Sequence, residues 1–264
     1  MKSLLLHLLQ RIGTLGAAYR LYQRFRALRG GQARIGGDDG LPAPPARLRV
    51  RVAGTADLDW FLEGGRLGEE SIRSALARHD TAPEQLSALL DFGCGCGRVT
   101  RRWLGLRDVD VAGSDTDEDA VEWCRRSLPF ARFEVNGLAP PLVFDDESFD
   151  LVYSLSVLTH LPEELQLVWM RELHRVLRPG GLLLLTTHGL AYADRLSPEE
   201  RARFESGEVV VRWGDVAGSN LCSAFHPESY LRGRLAEGFQ FVEFESEGAR
   251  GNPKQDQSVL RKPG

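Results

Sequence analysis

Over 264 residues the chain carries 33 basic and 37 acidic side chains, a net charge of −4, with 42% apolar and 27% charged residues. Those values fit a soluble globular enzyme with one substantial core and give no electrostatic reason to expect nucleic acid as a partner. The four cysteines, Cys94, Cys96, Cys124 and Cys222, make no C-x-x-C pair, so zinc spacing and a disulfide framework are both disfavoured, no metal is expected, and a reducing cytoplasm is the expected compartment.

The first element is a helix. Residues 1–37 hold seven basic side chains and no acid, which leaves 26 basic against 37 acidic in the remainder. Leu5, Leu8, Leu9, Ile12, Leu15, Tyr19, Tyr22 and Phe25 recur at helical spacing, so residues 1–29 read as an amphipathic basic helix. It is too short and too charged to span a bilayer. "LLLHLL" is also a weak signal-peptide core, interrupted by His7. Two readings compete: a helix packed on its own domain or a partner subunit, and a peripheral membrane anchor whose arginines face anionic lipid. Gly30 to Arg47 is a linker by composition, and residues 48–264 are expected to form the main domain.

"DLDWFLEGGRLGEESIRSALARH" has helical period broken at Gly64-Gly65, which predicts two helices. From Ser87 strands and helices alternate. The expected strands are "SALLDF", "VDVAGS", "ARFEV", "FDLVYS" and "GLLLLTT", with helices at Arg98–Gly105, Asp117–Ser127 and Pro162–Leu177. Short continuous apolar runs suit strands covered on both faces, and the alternation predicts an α/β, doubly wound, mainly parallel sheet. Pro179-Gly180-Gly181 turns the chain into the fifth strand. Residues 190–227 read as an insertion, after which "PESYLRGRLAEG" forms a helix and "FQFVEFESEG" and "QSVLRKP" a hairpin-like pair.

The chemistry concentrates in "LLDFGCGCGRV", where an apolar strand ends at Asp91 and glycines follow at 93, 95 and 97. A dinucleotide fingerprint would need its third glycine where Arg98 stands, and no P-loop lysine follows, so a phosphate ligand is disfavoured. Asp91 would repel a pyrophosphate but suits a ligand with an ammonium group. Asp115, eighteen residues past Gly97 at the end of the second strand, is placed to accept both hydroxyls of a ribose. A nicotinamide dinucleotide would use it equally.

These segments together resemble the class I S-adenosylmethionine-dependent methyltransferases over Leu86 to Thr187. "LLDFGCGCGR" is similar to that family's first motif, "GSD" to its ribose-binding acid, "NGLAPPLVFDDESFDLVYSLSVLTHL" to its adenine loop and post-strand-four segment, and "LHRVLRPGGLLLLTTHG" to its fifth-strand motif. The resemblance implies a Rossmann-like sheet of seven strands with the last antiparallel, and S-adenosylmethionine as cofactor. It implies that Gly93, Gly95 and Gly97 approach the methionine part, that Asp91 orients the loop, and that Asp115 with Thr116 holds the ribose and adenine edge. Asn136 and Gly137 stand where the family usually has an acid near the adenine amino group; an Asn still accepts a hydrogen bond there. Ser154, Leu155 and His160 follow strand four toward the reacting end. Cys94 and Cys96 read as small loop residues.

For a hydroxyl acceptor a general base is needed. His188, ending strand five, is the first choice, ahead of His160 and then His226; each is weighed against a structural histidine bonding a loop carbonyl. Tyr192, Arg212, Trp213, Asn220 and His226 in the insertion are expected to shape the acceptor pocket. "SLSV" replaces the Asn/Asp-Pro-Pro-aromatic run of nucleic-acid amino-methyltransferases, so a small-molecule or glycan hydroxyl is the expected acceptor. The alternatives are a nicotinamide-dependent oxidoreductase and a non-catalytic cofactor-binding scaffold. Residues 1–29 are expected to be dispensable for cofactor binding.

Overall fold

The computed structural model describes residues 9–11, 13–28, 36–252 and 254–264. Lys2, Leu5, His7, Leu8 and Ile12 of the basic helix lie outside the described residues; its described part is α1 (Leu15–Leu28). Next come α2 (Ala46–Ala53) and α3 (Leu58–Ala77), the latter capped by Asp57, whose carboxylate accepts the Trp60 N–H at 3.2 Å.

The main sheet then begins. It holds β1 (Ala88–Phe92), β2 (Asp110–Asp115), β3 (Arg132–Val135), β4 (Phe149–Leu155) and β5 (Leu177–Thr187), with α4 (Glu118–Ser127) between β2 and β3 and α5 (Glu163–Val176) between β4 and β5. The insertion contributes α6 (Pro198–Glu205) and a separate ribbon of β6 (Val210–Arg212) and β7 (Ser223–Phe225), and β8 (Gln240–Glu245) and β9 (Asp256–Arg261) complete the sheet. Its seven strands run in the order β3-β2-β1-β4-β5-β9-β8, all pairs parallel except those of β9 with β5 and β8. The expected seven-stranded sheet with its last strand antiparallel is therefore present. β1 is the point where the strand order reverses, and this opens a crevice at the carboxyl ends of β1 and β4.

The sheet is buried on both faces, as its unbroken apolar strands require. One face packs Leu90, Val152, Leu183 and Leu185 against Trp169, Met170 and Leu173 of α5. The other packs Leu89, Leu151 and Leu184 against Ile72, Ala75 and Leu76 of α3 and against Trp103.

Four expectations need correction. The break at Gly64-Gly65 does not occur, and α3 runs through both glycines. Their role is close approach: a Cβ on Gly65 would lie 2.1 Å from the Arg98 carbonyl oxygen, so this helix face must be bare for the loop after β1 to reach it. The helix expected at Arg98–Gly105 is a 3₁₀ turn over Thr100–Gly105. The stretch expected as linker is fixed from Gly36 onward: Asp39 pairs with buried Arg101, Nη2 to Oδ1 being 2.7 Å, Asp38 pairs with Arg102 at 3.0 Å, and α2 starts at Ala46. The last expected helix is a single α-turn, Glu228–Tyr230, that widens into a π-turn over Leu231–Leu235.

The Gly65 contact has a measurable consequence. In an exposed helix Gly→Ala raises stability by up to about 1 kcal/mol, whereas Gly65→Ala forces backbone against backbone and is expected to cost about 1–3 kcal/mol. A melting temperature lowered by several degrees confirms the close approach; an increase refutes it.

Candidate active site

Gly93, Gly95 and Gly97 all adopt the left-handed region, with φ of 83°, 53° and 72°. L-residues pay strain there, and space forbids them as well. A Cβ would lie 2.1 Å from Val157 at Gly93, 2.6 Å from Val52 at Gly95 and 2.4 Å from Leu128 at Gly97. Three elements therefore grip one loop: the turn after β4, helix α2, and the end of α4. Cys94, Cys96 and Cys124 are buried beneath it; the hydrogen bond with Cys124 and then burial push the Cys94 thiol well up, and burial does the same to Cys96, so both act as small apolar residues.

Two carboxylates flank the loop. Asp115 accepts the Gly95 N–H and the Asp117 N–H, each at 2.8 Å, and so holds the loop to the end of β2. Burial raises its pKa. Asp91, buried at the base, accepts the Thr100 hydroxyl at 2.5 Å, and desolvation pushes it up to about 6 despite hydrogen bonds from Thr100 and Tyr153. A cation seated beside Asp91 would pull that value down, so the site favours a positively charged ligand group.

Both acids line a cleft of about 650 Å³ together with Gly93, Gly95, Thr116, Asn136, Leu155 and His160. Asn136 donates from Nδ2 to the Gly137 carbonyl at 2.8 Å, which leaves Oδ1 shielded from solvent and without a partner. A buried acceptor in want of a donor suits an exocyclic amine. Gly97, Gly137 and Ser154 do not line the cleft: Gly97 is turned toward Leu128, and Ser154 is buried within β4.

The histidines separate clearly. The His160 ring lines the cleft, and its Nδ1 lies 2.8 Å from the Cys222 carbonyl. A carbonyl only accepts, so Nδ1 carries the proton and Nε2 is the acceptor. Burial lowers the His160 pKa, keeping the ring neutral. His188 is not on the cleft wall. It stacks on Tyr192 at 4.2 Å, tilts against Phe225 at 5.7 Å, and is held down to about 3 by burial first and by neighbouring His160 second. His226 is fully buried, its Nε2 3.0 Å from Gln166 Oε1, and burial holds it to about 3 as well.

From the insertion, Tyr192, Gly218, Ser219 and Asn220 reach the cleft, while Arg212, Trp213 and His226 do not. Arg212 is instead bound to Glu200, with Nε 2.8 Å from Oε1. The Gly218 N–H donates to the His160 carbonyl at 2.8 Å, tying the insertion to the turn after β4.

Sequence reasoning missed several lining residues. Arg51, Val52, Ala53 and Gly54 arrive on α2, Gln23 on α1, and Asn252 and Gln255 from the turn between β8 and β9. Gln255 donates to Ser156 Oγ at 2.8 Å and accepts from Thr186 at 2.8 Å, and Arg98 donates to Asn252 Oδ1 at 2.7 Å. Only the Gly54 helix stop after an apolar-basic run, with φ 67°, was a legible signal. The expectation that residues 1–29 stand apart from the cofactor site sits poorly with Gln23 on the cleft wall.

A seven-stranded sheet with this reversal, a left-handed glycine loop and an acid ending β2 define a Rossmann-like methyltransferase site. Residues 90–185 match a family described as a methyltransferase domain, and the sheet around them has the Rossmann-like methyltransferase fold. Two curated relatives are an O-methyltransferase of Penicillium expansum, 28% identical over 57% of this chain and 52% of the relative, and the 27-O-demethylrifamycin SV methyltransferase of Amycolatopsis mediterranei, 36% identical over 37% of each. The chain spans about half the length of the first of these and of an uncharacterised Haemophilus influenzae protein, 51% of which is covered. A solved S-adenosylmethionine-dependent methyltransferase of Methanosarcina mazei shares the fold, with a TM-score of 0.53 at 23% identity over 71% of this chain and 97% of its own. Among the described residues no helix is long and apolar enough to cross a membrane.

The buried histidines predict an acid weakness. A folded pKa near 3 lies below the unfolded value, so His226 contributes stability above about pH 6.5 that is lost progressively as pH falls toward 3. Asp91, raised to about 6, acts in the opposite direction, so the test is a difference. Between pH 6.5 and 5 the wild type is expected to lose about 1.6 kcal/mol more than His226→Gln in urea unfolding, an average of about 1.1 kcal/mol per pH unit. Parallel pH profiles would contradict this.

Proposed function

We propose that the chain transfers the methyl group of S-adenosylmethionine to a hydroxyl of a small molecule or glycan. The observation that carries the first half is Asp115 beside Gly95 at the switch point of the sheet, with Asp91 on the wall of the same cleft. Asp115 and Thr116 would hold the ribose, Asn136 Oδ1 the adenine amine, and the loop from Gly93 to Gly95, with Asp91 at its base, the methionine ammonium. When bound, the cofactor supplies an electrophilic methyl group on a sulfonium.

The chain's own residues do the rest. Tyr192, Ser219 and Asn220 close over the cleft and orient the acceptor, since much of the acceleration of an in-line displacement comes from alignment. His160, neutral and with Nε2 as acceptor, takes the hydroxyl proton as the methyl leaves sulfur. His188 supports that wall through Tyr192 and Phe225. Oxygen as the methylated atom is favoured by His160 and by the Penicillium expansum relative, whose name specifies O-methylation. A cytoplasmic location is supported by the cysteines, which are free and buried among the described residues.

Calorimetry tests the cofactor half. S-adenosylhomocysteine is expected to bind and NAD not to bind, and Asp115→Ala to cost about 1.5–3 kcal/mol, roughly tenfold or more in affinity. Unchanged affinity in a folded variant sinks the assignment.

The acceptor half rests on His160. His160→Gln is expected to slow transfer to a hydroxyl acceptor by about a hundredfold or more while S-adenosylhomocysteine affinity stays within about twofold. Equal turnover in wild type and variant removes His160 as the base.

A further inference from the structure

Helix α1 is amphipathic in the wrong sense for a helix packed on a soluble core. Residues of an α-helix are spaced at about 100°, which puts Ala17, Leu21, Tyr22 and Phe25 on one arc. That arc faces outward: Leu21 is 69% exposed, Tyr22 52% and Phe25 54%, and Ala17 is exposed as well. The inward face is mixed. It carries buried Leu15, part-buried Tyr19, Gly16 against Val216 and Gln23 on the cleft wall. Gln10 just ahead of α1 donates to Asp215 Oδ1 at 2.9 Å, so the helix is seated on the insertion at this end.

Charge completes the pattern. Arg20 and Arg24 border the apolar arc on one side and Arg26 on the other, all exposed, and α1 contains no acid. Among the described residues none of the three arginines forms an ion pair, whereas most other arginines of the chain do. Arg26 lies 5.9 Å from the Tyr22 ring centroid.

We propose that this face of α1 docks on an anionic lipid bilayer. Leu21, Tyr22 and Phe25 enter the boundary between headgroups and acyl chains, and Arg20, Arg24 and Arg26 lie at the level of the lipid phosphates. A second copy of the chain is a poorer occupant. A two-fold interface would set the same three arginines against their own copies with no acid between them. Because Gln23 of the same helix lines the cleft beside Trp60 and Leu138, themselves 43% and 44% exposed, docking holds the cleft mouth close to the lipid surface. The proposal stands apart from the methyl-transfer reading, which could fail without affecting it.

The test uses the full chain and sedimentation with vesicles of neutral phosphatidylcholine, with and without anionic phosphatidylglycerol. Binding is expected to the anionic vesicles and to weaken with salt. At about 1 kcal/mol per arginine near the surface, Arg20→Gln, Arg24→Gln and Arg26→Gln together are expected to weaken it about a hundredfold. Leu21→Ser with Phe25→Ser is expected to weaken it at least about tenfold. An unchanged circular-dichroism spectrum and melting temperature show that the variants are folded. Equal sedimentation with neutral and anionic vesicles, or variants that bind as the wild type does, overturns the proposal. So does a wild-type dimer that the Leu21 and Phe25 changes dissociate in the absence of lipid.

Discussion

The structure is organised around five residues, Gly93 to Gly97, whose backbone must turn through left-handed space while three other elements touch it. Val157, Val52 and Leu128 close on positions where any side chain would collide. The end of β2 closes on the same loop through the Asp115 carboxylate and the Gly95 N–H. The site is thus fixed by close approach at its glycines, by the charge-assisted bond to Asp115, by the Gly93 and Cys94 N–H groups donating to the Ser114 carbonyl at 2.8 and 3.0 Å, and by the burial of Cys94 and Cys96.

That constraint propagates outward. The bare face of α3 at Gly64, Gly65 and Gly68 lets the helix come down on Arg98 and Val99 just after the loop. Arg98 is drawn to Gly251 and Asn252, so the turn between β8 and β9 becomes part of the cleft wall. Buried Arg101 holds Asp39, and buried Arg49 donates to the Ala56 carbonyl at 3.0 Å, fixing the chain on either side of α2 and so the position of Val52. An unpaired buried guanidinium would cost several kcal/mol, and these partners offset part of that cost.

On the opposite side the insertion is tied to the turn after β4 by the Gly218 N–H and by His160 with the Cys222 carbonyl. The histidines divide by depth. His160 stays on the cleft wall, while His188 and His226 are carried into the seam beneath Tyr192 and beside Gln166. Low local polarity keeps these rings neutral, and that neutrality is what lets the seam close without a counter-ion.

The doubly wound, mainly parallel sheet and the placement of Asp91 and Asp115 near strand ends were legible from the sequence, because each depends on local hydrophobic period and on residues a few positions apart. The seven strands and the antiparallel last one came from the resemblance to a known family, and the strand order only from the structure. Helix breaks were misjudged at Gly64-Gly65 because local propensity penalises glycine, whereas the packing of Arg98 onto α3 requires it. Tertiary structure alone decided that His160 rather than His188 lines the cleft, since a one-residue change of direction at a strand end selects between cleft and core. It alone brought Val52, Gln23 and Gln255 to the site, from segments whose own patterns carry no trace of a ligand. The sequence determined that α1 is amphipathic, but which of its faces points to solvent follows from the way it packs, because a helical period specifies an axis of polarity and not the direction of the core.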